Sequence, residues 1–121
     1  MIEGIGQIGV TVRDLERSKA FYGGVLGLKF LFDAGMMMFF ECGSARLMLG
    51  LAEEGQETLF GATIVYYRVA GIEKYSAEVA EKGAELLQGA HVVAKMPDHV
   101  LWMAFLRDPD GNVVGLMEEV R

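Results

Sequence analysis

The feature that most constrains this chain is an internal repeat. An alternating apolar segment, an amphipathic segment closed by glycine and three short apolar runs fill the first half, and the same order returns in the second. In "IGVTV", strand alternation puts Ile8, Val10 and Val12 on one face and Gln7, Gly9 and Thr11 on the other. Asp14 is placed to cap a helix over "LERSKAFYGGVLG", in which Leu15, Tyr22 and Leu26 share a face and Gly27 supplies the stop. Strand-like runs follow around 28–33, 36–41 and 45–51, and "ECGSAR" turns the last two into a hairpin.

In the second half "ATIVYYRVA" alternates as a strand. "GIEKYSAEVAEKG" reads as a helix with Ile72, Tyr75 and Val79 on one face and Gly83 just past its end. Three more runs lie near 85–94, 100–107 and 112–119. The last two are joined by "DPDG", with Pro109 at the second turn position and Gly111 where a positive φ is needed. The expected fold is therefore α+β: two βαβββ modules, 1–50 and 62–121, joined by a linker at 51–61 within a single domain, 1–121. A four-stranded sheet bent over one helix leaves its other face to be covered. Two such units side by side would make a curved mixed sheet around a shared cleft, helices outside, and function is expected in that cleft.

Composition narrows the partners. A chain of 121 residues, 52% of them apolar, holds one well-buried core and is too short for two ordinary domains. The net charge of −6 and the scattered Lys and Arg argue against nucleic acid or an anionic membrane as partner. Cys42 is the single cysteine, so no intrachain disulfide can form. The start "MIEGIGQ" is neither basic nor followed by a long apolar stretch, and no window approaches the roughly 18 apolar residues of a membrane span. A cytoplasmic location is the expectation.

"TVRDLERSKAFYGGVLGL" and "FLRDPDGNVVGLME" together resemble the vicinal oxygen chelate superfamily of glyoxalase I, bleomycin-resistance proteins, fosfomycin-resistance enzymes and extradiol dioxygenases. The resemblance covers essentially the whole chain. It rests on V-x-D-L-x-x-S, then F-Y and L-G-L, then K-G-A after the second helix, then D-P-D-G-N. It implies a divalent metal held by one ligand from each of four strand positions, His or Gln, Glu, His and Glu. Carried across, those positions fall on Gln7, Met48, Ile64 and Gly115. Imidazole and carboxylate donors suit Ni²⁺, Zn²⁺, Fe²⁺ or Mn²⁺. Ile64 and Gly115 offer no side-chain donor, and Met48 offers only a soft thioether. The neighbours Leu47, Leu49, Thr63, Val65, Val114 and Leu116 add none. The expectation is no metal and no cofactor.

Eight methionines enrich the chain. If Gln7, Met48, Ile64 and Gly115 face inward, alternation sends Thr11, Tyr66, Arg68 and Met117 the same way, and the family pattern adds Met36, Met38, Phe40, Met103 and Phe105. The unbranched thioether adapts to irregular shapes and contacts aromatic rings, so such a surface suits a flat, apolar or aromatic small molecule, with Arg68 favouring a phenolate or carboxylate on it. The competing reading is that these methionines fill an interface between modules or subunits. Trp102, of opposite parity, is expected in the core beneath a helix. His91 and His99 read as surface or loop histidines, with His99 alternatively a polar contact at the cleft mouth. Cys42 reads as an inert thiol in a turn, and Glu41, Glu53 and Glu54 as solvated charges.

Three functions stay open: a metal-free small-molecule binder in the manner of bleomycin-resistance proteins; a lyase, isomerase or dioxygenase using an unconventional metal or Tyr66, Arg68 and Gln7; and a ligand-free regulatory or structural dimer. Short two-module chains of this superfamily are generally dimers, so a homodimer is expected.

Overall fold

Strand β1 (Gln7–Val12) leads into helix α1 (Leu15–Lys19), which continues as a π-helical segment (Ala20–Val25) before β2 (Lys29–Asp33), β3 (Met37–Cys42) and β4 (Ala45–Leu51). The same order follows in β5 (Val65–Arg68), α2 (Ile72–Glu81), β6 (Glu85–Lys95), β7 (Val100–Arg107) and β8 (Val113–Val120). This computed structural model describes residues 1–53 and 63–121. Glu54, the expected linker from 54 onward and Ala62 lie outside the described residues. The chain divides into two units, Met1–Phe60 and Gly61–Arg121.

Each unit holds one open four-stranded mixed sheet, ordered β1-β4-β3-β2 in the first and β5-β8-β7-β6 in the second. The first and last strands of each unit run parallel, and the other pairs are antiparallel. The α+β class with two βαβββ modules is thus the observed one. Local chemistry accounts for the element ends. Asp14 caps α1 by accepting from the Arg17 backbone N–H at 2.9 Å. In the "DPDG" turn the Gly111 N–H donates to the Asp108 carbonyl at 3.0 Å, and Gly111 takes φ 85°, a conformation that only glycine adopts freely.

The first helix departs from the expected regular one. Beyond Lys19 its bonds lengthen in register, with Leu26 N–H donating to Phe21 O at 2.9 Å and Leu28 N–H to Tyr22 O at 3.0 Å. Phe21, Tyr22 and Leu26 of this segment all enter the core, at 6%, 1% and 8% exposure.

In each unit the core lies between the helix and one face of its sheet. Val12, Tyr22, Met38, Phe40, Leu47 and Leu49 fill the first; Tyr67, Ile72, Val79, Ala104, Leu106, Val114 and Leu116 fill the second. The register explains the split. Met38 pairs with Leu49 and Phe40 with Leu47, so these four share the helix-covered face, while Phe39 pairs with Met48 and Met37 with Gly50 on the opposite one. This corrects the expected face of Met38 and Phe40: at 2% and 0% exposure they are core residues. Trp102 lies opposite Glu118 on the helix side, as expected, but is only half-buried. Among the described residues no helix is long and apolar enough to cross a membrane.

Candidate functional site

In the first unit the sheet face away from the helix carries Gln7, Gly9 and Thr11 from β1, Arg46, Met48 and Gly50 from β4, and Glu41, Phe39 and Met37 from β3. Met48 is its centre. The Gln7 side-chain N–H donates to the Met48 sulfur at 3.4 Å, and the Met48 methyl lies against Gly9, where a Cβ would come within 3.3 Å of it. The Gln7 carbonyl oxygen accepts from Arg46 Nε at 3.0 Å and Nη2 at 2.7 Å. The Arg46 guanidinium stands 4.8 Å from the centroid of Phe39, and Phe39 stacks on Phe32 at 4.5 Å. Towards the far ends of β1 and β4 lies a depression of about 460 Å³, floored by Gly9, Thr11, Met48 and Gly50 and rimmed by Met36, Met37 and Glu53.

In the second unit Tyr66 and Arg68 of β5, Gly115, Met117 and Glu119 of β8, and Met103 and Phe105 of β7 share one face. Ile64 stands just before β5 and is 40% exposed. Tyr66 meets Phe105 edge-on at 5.9 Å, and its ring covers Gly115. Arg68 lines a depression of about 610 Å³ with Glu118, Glu119 and Arg121, so the cation expected to seek an anion shares its surroundings with two acids.

Of the two histidines expected on the surface or in loops, His91 lies in a strand and His99 in a connection. His91 sits within β6, half-buried and paired with Met103, and its Nδ1 donates to the Gly89 carbonyl at 2.7 Å. His99 is in the short connection before β7, but its ring is only 15% exposed. Its Nδ1 lies 2.8 Å from Asp98 Oδ1 and its Nε2 3.6 Å from Glu119 Oε2. Arg121 binds the same two acids, at 2.7 Å and 3.1 Å. Hydrogen bonds from Arg121 and then His99 hold the Asp98 carboxyl below its ordinary range, so it is an acceptor and His99 Nδ1 is the donor. Cys42 ends β3 rather than lying in the turn, and burial pushes its thiol up, which leaves little reactive thiolate near neutral pH.

The residues at the expected metal positions do not fit a divalent metal. Gln7 spends its oxygen on Arg46 and its nitrogen on Met48. Ile64 has no donor atom, and Tyr66 occupies the space a side chain at Gly115 would need. Among the described residues no group of three or more His, Cys, Asp or Glu is arranged to hold a metal ion.

Sequence reasoning missed Met37, Phe39 and Arg46. The signal lay in "ECGSAR": with Cys42 paired to Ala45 across Gly43 and Ser44, a two-residue turn fixes Glu41 opposite Arg46 and Phe39 opposite Met48.

Residues 4–116 match the family described as the Glyoxalase/Bleomycin resistance protein/Dioxygenase superfamily. Among solved structures, a virulence protein of Salmonella typhimurium is 20% identical with a TM-score of 0.79, covering 99% of each chain. A lactoylglutathione lyase of Agrobacterium tumefaciens is 21% identical with a TM-score of 0.76, covering 98% of this chain and 95% of its own. A glyoxalase/bleomycin resistance protein/dioxygenase of Alicyclobacillus acidocaldarius is 14% identical with a TM-score of 0.74, covering 98% and 93%. At such identities the likeness establishes fold alone. No curated protein matches the chain.

Proposed function

The chain belongs to the glyoxalase/bleomycin resistance protein/dioxygenase superfamily, and on that premise we propose that it is a metal-free binding protein for a small, largely apolar or aromatic molecule. One observation carries the reading: Gln7 and Met48, which stand where the resemblance places two metal ligands, are bonded to each other at 3.4 Å. The amide and thioether form a soft, structured surface instead of a chelate. Met36 and Met37 extend that surface at 55% and 37% exposure, large apolar side chains kept in water where a ligand would cover them. Each 100 Å² of ligand surface buried there contributes about 2.5 kcal/mol before immobilisation costs, so several such contacts are needed for micromolar affinity.

A thermal-shift screen of aromatic compounds tests this. A ligand at a hundred times its Kd stabilises the fold by about 2.7 kcal/mol, and Met48→Asp removes the shift while the protein stays folded. If no compound stabilises the protein, the face serves contact with other protein instead and the homodimer reading takes precedence; sedimentation measures that directly.

One observation favours a catalytic alternative. The Asp98–His99 pair is a carboxylate-oriented imidazole with its second nitrogen 3.6 Å from Glu119, an arrangement able to move a proton. A lyase or isomerase reading requires turnover that His99→Gln abolishes without loss of fold.

A further inference from the structure

We infer that the ligand of the first unit's exposed sheet face is an aryl acid, whose carboxylate or sulfonate binds Arg46; the inference rests on reading that face as a small-molecule site. The arginine is held but not neutralised. Gln7 Oε1 accepts from both Nε and Nη2, at 3.0 Å and 2.7 Å, which fixes the guanidinium plane through a neutral amide and leaves its full charge in place. The orientation of that amide is set in turn by its nitrogen, which donates to the Met48 sulfur; a flipped amide would set donor against donor.

Two other cations are paired with acids instead. Arg121 is spent on Asp98 and Glu119. On the same face as Arg46, Lys29 pairs with Glu41 at 3.9 Å, and that pairing engages the acid directly opposite Arg46 across β3 and β4. Among the described residues Arg46 Nη1 has no acceptor, and the guanidinium stands over the Phe39 ring. A planar cation with a free donor edge and an aromatic floor is suited to an anion attached to an aromatic body.

Spacing sets the size of the occupant. Arg46, Met48 and Gly50 are alternate residues of β4 on one face, so the backbone positions of Arg46 and Gly50 are about 13 Å apart along the strand. A two-ring body laid over Met48 and Gly9 reaches the depression with one end and Arg46 with its acid.

Two fluorescent probes with the same arylamine skeleton separate the claims: anionic 8-anilinonaphthalene-1-sulfonate and neutral N-phenyl-1-naphthylamine, titrated against the full chain. The sulfonate is expected to bind about tenfold more tightly, the effect of one charge-assisted contact. Arg46→Gln should bring it level with the neutral probe and leave the neutral probe unchanged. Lys19→Gln, which removes a cation standing over Phe30 on the helix side of the sheet, should keep the preference. Gln7→Glu retains an acceptor for the fork but neutralises the arginine, so it too should abolish the preference. Its thermal stability, matched to the parent, serves as the fold control. Binding of neither probe overturns the small-molecule reading and the anchor with it. Equal binding of both, or a preference that survives Arg46→Gln or vanishes equally in Lys19→Gln, overturns the anchor and leaves the apolar site standing.

Discussion

The ring of Tyr66 lies so closely over Gly115 that a Cβ on the glycine would stand 2.6 Å from Cδ1, 2.9 Å from Cε1 and 3.1 Å from Cγ. The two residues are direct partners across the parallel strands β5 and β8. In the first unit Gly9 and Met48 are likewise partners across β1 and β4, with the Met48 methyl over Gly9. Each parallel pair therefore sets one large side chain over one glycine, but the roles are exchanged: the glycine is on the first strand of one unit and on the last strand of the other. The surface is filled by packing at positions where the superfamily resemblance expects donors.

Gly115→Ala should consequently destabilise the fold by about 1–3 kcal/mol through overpacking against the Tyr66 ring. Tyr66→Ala in the same chain should recover most of that loss, with a coupling of at least about 0.5 kcal/mol. Urea unfolding of the two single variants and the double variant measures it. Additive losses would show that the ring swings aside freely.

After exposure to Ni²⁺, Zn²⁺, Mn²⁺ and Fe²⁺ and removal of excess ion, elemental analysis should find well under one metal per chain, and a chelator should leave the melting temperature unchanged. The donor chemistry is the reason: an amide already committed on both sides and a thioether are poor partners for these borderline ions. Stoichiometric retention that Gln7→Leu abolishes would defeat this expectation.

The legible part of the fold was the part written in local backbone requirements. Asp14 announces a helix start, while Gly27, Gly83 and Gly111 sit at φ 82°, 101° and 85°, each where a side chain would resist the turn. What was illegible depends on partners distant in sequence or on register. Nothing near Gly71 signals that the α2 N-terminus is capped by Glu118, whose carboxylate accepts from the Gly71 and Ile72 N–H groups at 2.8 Å and 2.9 Å. The π-helical turn was hidden because Phe21, Tyr22 and Leu26 fit one face of an ordinary helix equally well, so the pattern does not mark the wider register that the Leu26 N–H to Phe21 O bond shows. Arg46 was hidden because its significance arises only when Gln7 is beside it on a parallel strand.

The Glu118 cap makes stability depend on pH. The hydrogen bonds from Ile72 and then Gly71 hold its carboxyl below the ordinary range. Its stabilising effect is therefore complete above the unfolded value of about 4.3 and is lost as pH falls through the lower folded value. The parent should lose melting temperature on acidification through this window more steeply than Glu118→Gln, whose amide keeps one acceptor and does not titrate. Parallel curves would remove Glu118 from the acid response.

Met38 and Met37 are neighbours in sequence with opposite fates, and exchanging their chemistry tests the register that defines the candidate site. Met38 is 2% exposed and Met37 is 37% exposed, because the first pairs with Leu49 on the helix-covered face and the second with Gly50 on the face proposed to bind a ligand. Met38→Ala leaves a cavity beside Phe40 and Leu49 and should cost about 2–5 kcal/mol. Met37→Ala removes a side chain that water already reaches, and should change stability by no more than about 0.5 kcal/mol. Binding should divide the other way. Met37→Ala is expected to weaken an aromatic ligand severalfold, since it strips apolar contact from the rim of the depression, while Met38→Ala, assayed below its unfolding temperature, should bind nearly as the parent does. A register slipped by one residue would interchange both results, since one step along a strand exchanges the two faces of the sheet.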